Sequence, residues 1–156
     1  MGKTAQPLDL GILLALAYQE FVRELHADLA RRGYDDLATS DGYVFRALAH
    51  EPLTTSALAS RLEITKQGAG QIVADMTRRG YLTSSPDPQD ARARLLTLSP
   101  RGRDAFGAAR AFHRRYERTL VRQHGADAVA ALRHLLTELA GPETDALDPR
   151  LRALSL

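Results

Sequence analysis

The chain has 156 residues, 44% of them hydrophobic and 26% charged, the size and balance of one ordinary globular domain. It contains no cysteine, which excludes disulfides, thiolate metal sites, a cysteine nucleophile and a cysteine redox sensor, and fits a reducing cytoplasm, where we place it. The net charge is only +2, yet it is uneven: residues 1–51 carry five basic and eight acidic side chains, residues 52–103 carry eight and four, and the remainder eight and seven. The basic surplus lies in the middle of the chain, which is the electrostatic footprint of a nucleic-acid contact.

Taken in chain order, Leu14, Tyr18, Phe21, Leu25 and Leu29 recur at helical spacing and predict an amphipathic helix over 9–31, closed by Gly33. Its apolar run GILLALAY falls far short of the ~20 residues that a membrane span needs, and Lys3 is followed by polar residues and Asp9, so neither a secretory leader nor a membrane segment is expected. A second helix follows in TSDGYVFRALAHEP, with Thr39 or Ser40 as N-cap and Pro52 as stop. LTTSALASRL predicts a short third helix behind a threonine cap, and Glu63-Ile64 a tight link. The fourth helix runs through TKQGAGQIVADMTRRG, capped by Thr65 and closed by Gly80.

Two strands are predicted next, Tyr81–Ser84 and Arg94–Leu98, joined by a charged tip. SPRG then opens a long helix, with Ser99 as N-cap and Pro100 at the first helical position, where its missing N–H costs nothing. Phe106, Ala109, His113, Tyr116 and Leu120 share one face of that helix, and Gly125 breaks it. Val129, Leu132, Leu136 and Leu139 line a final helix, followed by a tail with room for one more helical turn. The fold class expected is mainly α with a small β-hairpin wing: a winged helix–turn–helix over 39–99, flanked by an N-terminal helix in 1–38 and C-terminal helices in 100–156, all in one intertwined domain.

At ~100° per residue the fourth helix has two faces. Ala69, Ile72, Val73 and Met76 turn toward the third helix; Gln67, Gln71, Ala74 and Arg78 turn away. A recognition helix reads base edges with its N-terminal part, where glutamine makes a bidentate pair with adenine. Thr65 and Lys66, at the helix start, are placed to meet phosphate. Gly68 and Gly70 are unexpected there, because each costs roughly 1 kcal/mol of helix stability relative to alanine. Gly70 flanks the outward face, so a close backbone approach to DNA, a helix left soft until it docks, and no selection at all each account for it. At the hairpin tip, Arg92 is the candidate to enter the negative minor groove beside the recognition helix, with Asp90 pairing to Arg92 or Arg94 to fix its direction. The expected DNA contacts are therefore Thr65, Lys66, Gln67, Gly70, Gln71, Arg78, Asp90, Arg92 and Arg94.

Two stretches, LASRLEITKQGAGQIVADMTRRGYL and DPQDARARLLTLSPRG, resemble the multiple-antibiotic-resistance regulator (MarR) family of bacterial transcription factors, and the resemblance extends to the helix order of nearly the whole chain. The second stretch follows the family's wing pattern, Asp-x-Arg and then Leu-x-Leu-Thr-x-x-Gly, with Ser99 where threonine is usual. The resemblance implies a homodimer built from the interlocking N- and C-terminal helices. It also implies binding to a pseudo-palindromic operator in double-stranded DNA, and release by a small, often aromatic or phenolic, effector. Carried over, Gln67 and Gln71 match groove-facing positions, Arg92 the wing-tip arginine and Asp90 its partner. Glu63 departs from the glycine common in the turn, and the lack of cysteine removes the oxidation-sensing branch. The family's effector pocket would here draw on Tyr18, His26, Tyr43, His50, Phe106 and His113, with no cofactor and no metal. Five scattered histidines show no ligand spacing and no catalytic triad or nucleophile elbow is present, so an enzyme is not expected. The alternatives are a winged-helix protein-interaction module and a DNA binder without an effector.

Overall fold

In the computed structural model, which describes residues 7–90 and 92–141, six helices and one antiparallel hairpin follow one another. They are α1 (Leu10–Arg31), α2 (Asp41–Leu48), α3 (Thr55–Arg61), α4 (Lys66–Arg78), β1 (Leu82–Pro86), β2 (Arg94–Leu98), α5 (Pro100–His124) and α6 (Ala126–Ala140). The expected fold class is the observed one. The tail beyond Gly141, for which one more helical turn is expected, lies outside the described residues.

The caps explain most of the boundaries. Thr54 accepts the Ala57 N–H, Thr65 the Gly68 N–H and Ser99 the Gly102 N–H, each satisfying a donor that the first helical turn leaves orphaned. Gly33, Gly80 and Gly125 take positive φ and end α1, α4 and α5. One expected cap is corrected: Ser40 sits at the N-cap of α2 in helical geometry and its side chain caps nothing. The Asp41 carboxylate instead accepts the Ala38 N–H at 2.9 Å, and Thr39 bonds His26 Nε2 at 3.3 Å.

The hairpin pairs Leu82 with Leu98 and Pro86 with Arg94, and Leu53 adds a bridge to Leu96 on the far edge of β2. Tyr81 is not part of the strand. Its N–H closes the end of α4 on Met76 O, and its ring is fully buried. Aromatic character points to a strand, but here burial at the helix exit decides the position. The core runs without a break through the three segments, from Leu29 of α1 through Val44, Phe45, Leu58 and Met76 to Leu96, Leu98 and Ala105 of α5.

The α3–α4 link is strained. Glu63 adopts φ 50°, the left-handed region that a residue with a Cβ disfavours. Glu63→Gly relieves that cost, about 1–2 kcal/mol, but frees the unfolded chain by about 0.4–1 kcal/mol. The expected net is a gain of roughly 0.5–1 kcal/mol in urea unfolding. Equal or lower stability would show that interactions of the glutamate side chain outweigh the strain.

Candidate nucleic-acid interface and adjoining cavity

On α4 the two faces separate as the periodicity predicts. Ala69 and Met76 are fully buried against α3 and the core, while Gln67, Gln71, Ala74 and Arg78 are exposed. Thr65 Oγ is used as the cap acceptor, at 3.0 Å from the Gly68 nitrogen, which leaves its hydroxyl proton free to donate outward. Lys66 is exposed beside it. Arg78 pairs with Asp75 one turn back, an exposed contact worth little and easily traded for a phosphate or base. Gly70 has ordinary helical geometry and is half-buried, and a Cβ there would meet nothing within 4 Å.

The wing tip is built by aspartates. Asp87 Oδ1 accepts the Gln89 N–H at 2.8 Å, and Asp90 Oδ1 accepts the Arg92 backbone N–H at 2.9 Å. The Asp90 carbonyl closes the turn on the Ala93 N–H at 2.9 Å. This corrects the expected role of Asp90, which fixes the backbone under Arg92 and not a guanidinium. Arg94 is also placed differently from a free contact residue. Its guanidinium reaches across the hairpin to Ser84 Oγ at 3.0 Å and Ser84 O at 2.9 Å, bracing the two strands. Arg92 is exposed at the tip.

Sequence reasoning missed the joint that holds α4 in place. Arg79, at the end of the helix, donates to Asp41 Oδ2 and to Asp36 O, both at 2.8 Å, and to Asp75 Oδ2 at 2.8 Å. The Tyr81 hydroxyl donates to Asp36, and Arg101 of α5 reaches the same hydroxyl at 3.1 Å. The hydrogen bond from Tyr81 holds the Asp36 carboxyl below its usual range despite some burial, with Arg101 adding to it. Burial, with the Asp36 bond, pushes the Tyr81 hydroxyl up to about 12. The residues joined are up to 65 apart in the chain, so no local pattern announces them.

Between α1, α2 and α5 lies a cavity of about 600 Å³, and all six expected pocket residues line it: Tyr18, His26, Tyr43, His50, Phe106 and His113. Phe21, Phe45, Arg46, Arg110 and Asp41 also line it, among further apolar residues. Arg46 lies 5.9 Å from the Tyr43 ring centre and Arg110 5.9 Å from that of Phe106. Burial, reinforced by the Arg46 charge, lowers His113 from the ordinary imidazole range, so it is neutral at pH 7. Burial, and the neighbouring Tyr18, keep the Tyr43 phenol protonated. Asp41 in the wall is already engaged by Arg79, so among the described residues that line the cavity the charge left without an ion-pair partner is that of Arg46 and Arg110. Among the described residues, no cluster of three or more histidine, aspartate or glutamate side chains could hold a metal, and no helix is long and apolar enough to cross a membrane.

A helix–turn–helix with glutamines on its exposed face, a braced wing beside it and long flanking helices define a winged-helix fold. Residues 35–93, which cover most of the winged module, match the sequence model of the MarR family. The MarR-family fold extends well beyond the matched module. Apo MarR from E. coli superimposes with a TM-score of 0.61 at 21% identity, covering 88% of this chain and 100% of that one. FabT of Streptococcus pneumoniae, solved in complex with DNA, gives 0.67 at 20% identity over 83% and 91%. A MepR variant of S. aureus bound to an oligodeoxyribonucleotide gives 0.63 at 20% identity over 86% and 97%. No curated protein sequence matches the chain.

Proposed function

We propose that the protein is a homodimeric, sequence-specific transcriptional repressor that binds a pseudo-palindromic operator and releases it when a small aromatic acid or phenol fills the cavity. The observation that carries the reading is the exposed row of Gln67, Gln71 and Arg78 on α4, set beside a wing whose Arg92 projects from an aspartate-built turn. Two of the structural neighbours, FabT and MepR, are described in complexes with DNA. The aromatic, two-arginine cavity suits a flat monoanion, since its one carboxylate is spent on Arg79.

Dimerisation rests on what the chain leaves uncovered. Leu10 is 68% exposed and Leu139 70%, with Ile12, Leu13, Leu16, Leu132, Leu135 and Leu136 open nearby on α1 and α6. α6 buries none of its residues within this chain. So much apolar surface left open on two flanking helices calls for a partner, and a second copy offers the complementary face. Sedimentation at micromolar concentration should give twice the 17.1 kDa chain mass. A well-folded monomer would sink the architecture.

The test of function is selection from a random DNA duplex library with the full-length protein, then binding with and without a panel of aromatic acids. The recovered duplex should carry two half-sites about 10 base pairs apart or a multiple of that. Gln67→Ala or Gln71→Ala should relax base preference at particular positions by about 1–3 kcal/mol. Lys66→Ala should weaken all sequences alike. Arg92→Ala should lower affinity, most on A·T-rich flanks, and reduce the log–log salt slope by roughly 1. An unchanged slope and affinity for Arg92→Ala would leave the wing tip in solvent. Winged modules that serve only as protein docks would recover no sequence at all.

A further inference from the structure

We infer that Gly70 is a specificity-determining position of the DNA interface: its missing side chain lets the α4 backbone come close enough for Gln67 and Gln71 to reach base edges. The inference rests on the DNA-binding reading above.

Gly70 lies inside α4, as its fifth residue, where alanine is the better helix former. Two ordinary reasons for an interior glycine are absent. Its φ is not positive, unlike that of Gly33, Gly80, Gly125 and Gly141. Nor does the fold crowd it: a Cβ there would have no atom within 4 Å, whereas a Cβ at Gly102 would stand 2.1 Å from the Tyr81 carbonyl oxygen. Gly68 is intermediate, since its Cβ would press on the capping Thr65 Oγ1 at 3.2 Å. Nothing within the chain requires a glycine at position 70. It sits three residues after Gln67, about one turn along on the flank of the exposed face, so a side chain there would stand beside Gln67 on the side from which the helix meets a duplex. Glycine is the residue that lets a backbone approach a ligand closely. Gly11 and Gly107 are equally uncrowded helical glycines, but Gly11 lies among the uncovered leucines of α1 and Gly107 on α5, neither beside a base-facing side chain.

The experiment compares wild type, Gly70→Ala and Gly107→Ala as full-length proteins on the duplex that wild type selects from a random library and on a scrambled duplex. Both variants should melt about 2–4 °C higher than wild type, because alanine fits helical φ and narrows the unfolded ensemble. Gly70→Ala should nevertheless bind the selected duplex about tenfold or more weakly. Its binding to the scrambled duplex, governed by phosphate contacts, should hold. Gly107→Ala should bind both as wild type does. Unchanged binding by Gly70→Ala overturns the inference. So does tighter binding, which would mean that the glycine softens the helix before docking. Equal weakening by both variants overturns it too, because stiffness alone would then explain the loss. If wild type selects no duplex, it is the DNA-binding reading that has failed, and the inference falls with it.

Discussion

Arg79→Ala should lower the unfolding free energy by about 3 kcal/mol and should loosen α4 in the process. The Asp41 side chain is only 4% exposed and the Arg79 side chain 16%, so this pair is shielded from the solvent screening that makes surface pairs weak. Removing the guanidinium leaves a buried carboxylate with the Ala38 N–H as its remaining named donor, and also frees the Asp36 carbonyl and Asp75. The cost is mainly that of the stranded charge, more than that of the lost attraction. A double variant, Arg79→Met with Asp41→Asn, should recover much of the loss, since no buried charge then remains. Urea unfolding of the wild type, Arg79→Met, Asp41→Asn and the double variant completes the cycle. If Arg79→Ala costs under about 0.5 kcal/mol, the pair is no more than a surface contact. Because Arg79 ends α4 and Asp41 begins α2, the variant should also weaken the DNA binding proposed above while leaving Gln67, Gln71 and Arg92 unsubstituted.

What the sequence made legible and what it hid divide along a physical line. Periodicity and caps are local, and they located the helices from Thr54, Thr65, Ser99 and Gly125. The two faces of α4 follow from the same periodicity, so Gln67 and Gln71 could be placed outward without any tertiary knowledge. The six cavity residues could be named because the family resemblance says which helices meet there. Their arginine neighbours, Arg46 and Arg110, could not, since an arginine on a helix flank carries no sign that it faces a cavity.

The Arg79–Asp41 pair and the Arg94–Ser84 brace are set by approach angle and strand register, which the alternation of leucines in β2 leaves open. At the tip, Asp90 followed two residues later by Arg92 reads as an ion pair, yet the short aspartate side chain finds the Arg92 backbone N–H first. The error is instructive, because an aspartate in a turn is a backbone acceptor before it is a counter-ion.

Gly102→Ala should be the most damaging conservative change in the protein, costing about 3 kcal/mol or more. Intrinsic propensity points the other way: alanine in the first turn of α5 ought to help by about 1 kcal/mol. Contact decides the sign. A Cβ at Gly102 would lie 2.1 Å from the Tyr81 carbonyl oxygen, 3.1 Å from its carbon and 3.5 Å from Leu98 Cβ. The first two are backbone atoms that no rotamer change can move away. The same carbonyl accepts the Ser99 N–H at 2.9 Å, while Ser99 Oγ accepts the Gly102 N–H at 2.9 Å and donates to Gly80 O at 2.5 Å. Gly102 thus closes a clamp between the end of α4, the root of the wing and the start of α5. Relieving the clash means prising that clamp open and exposing Tyr81 and Leu98, both buried. Gly107→Ala, further along α5 with nothing within 4 Å, is the matched control and should stabilise by about 0.4–1 kcal/mol. Urea midpoints of the two variants should therefore move in opposite directions. If Gly102→Ala is as stable as wild type, the first turn of α5 is free to slide and the wing is not anchored through it. If the clamp is as tight as its hydrogen bonds indicate, the variant should also lose affinity in the DNA binding proposed above at moderate temperature. A displaced wing root carries Arg92 out of register with the glutamines of α4.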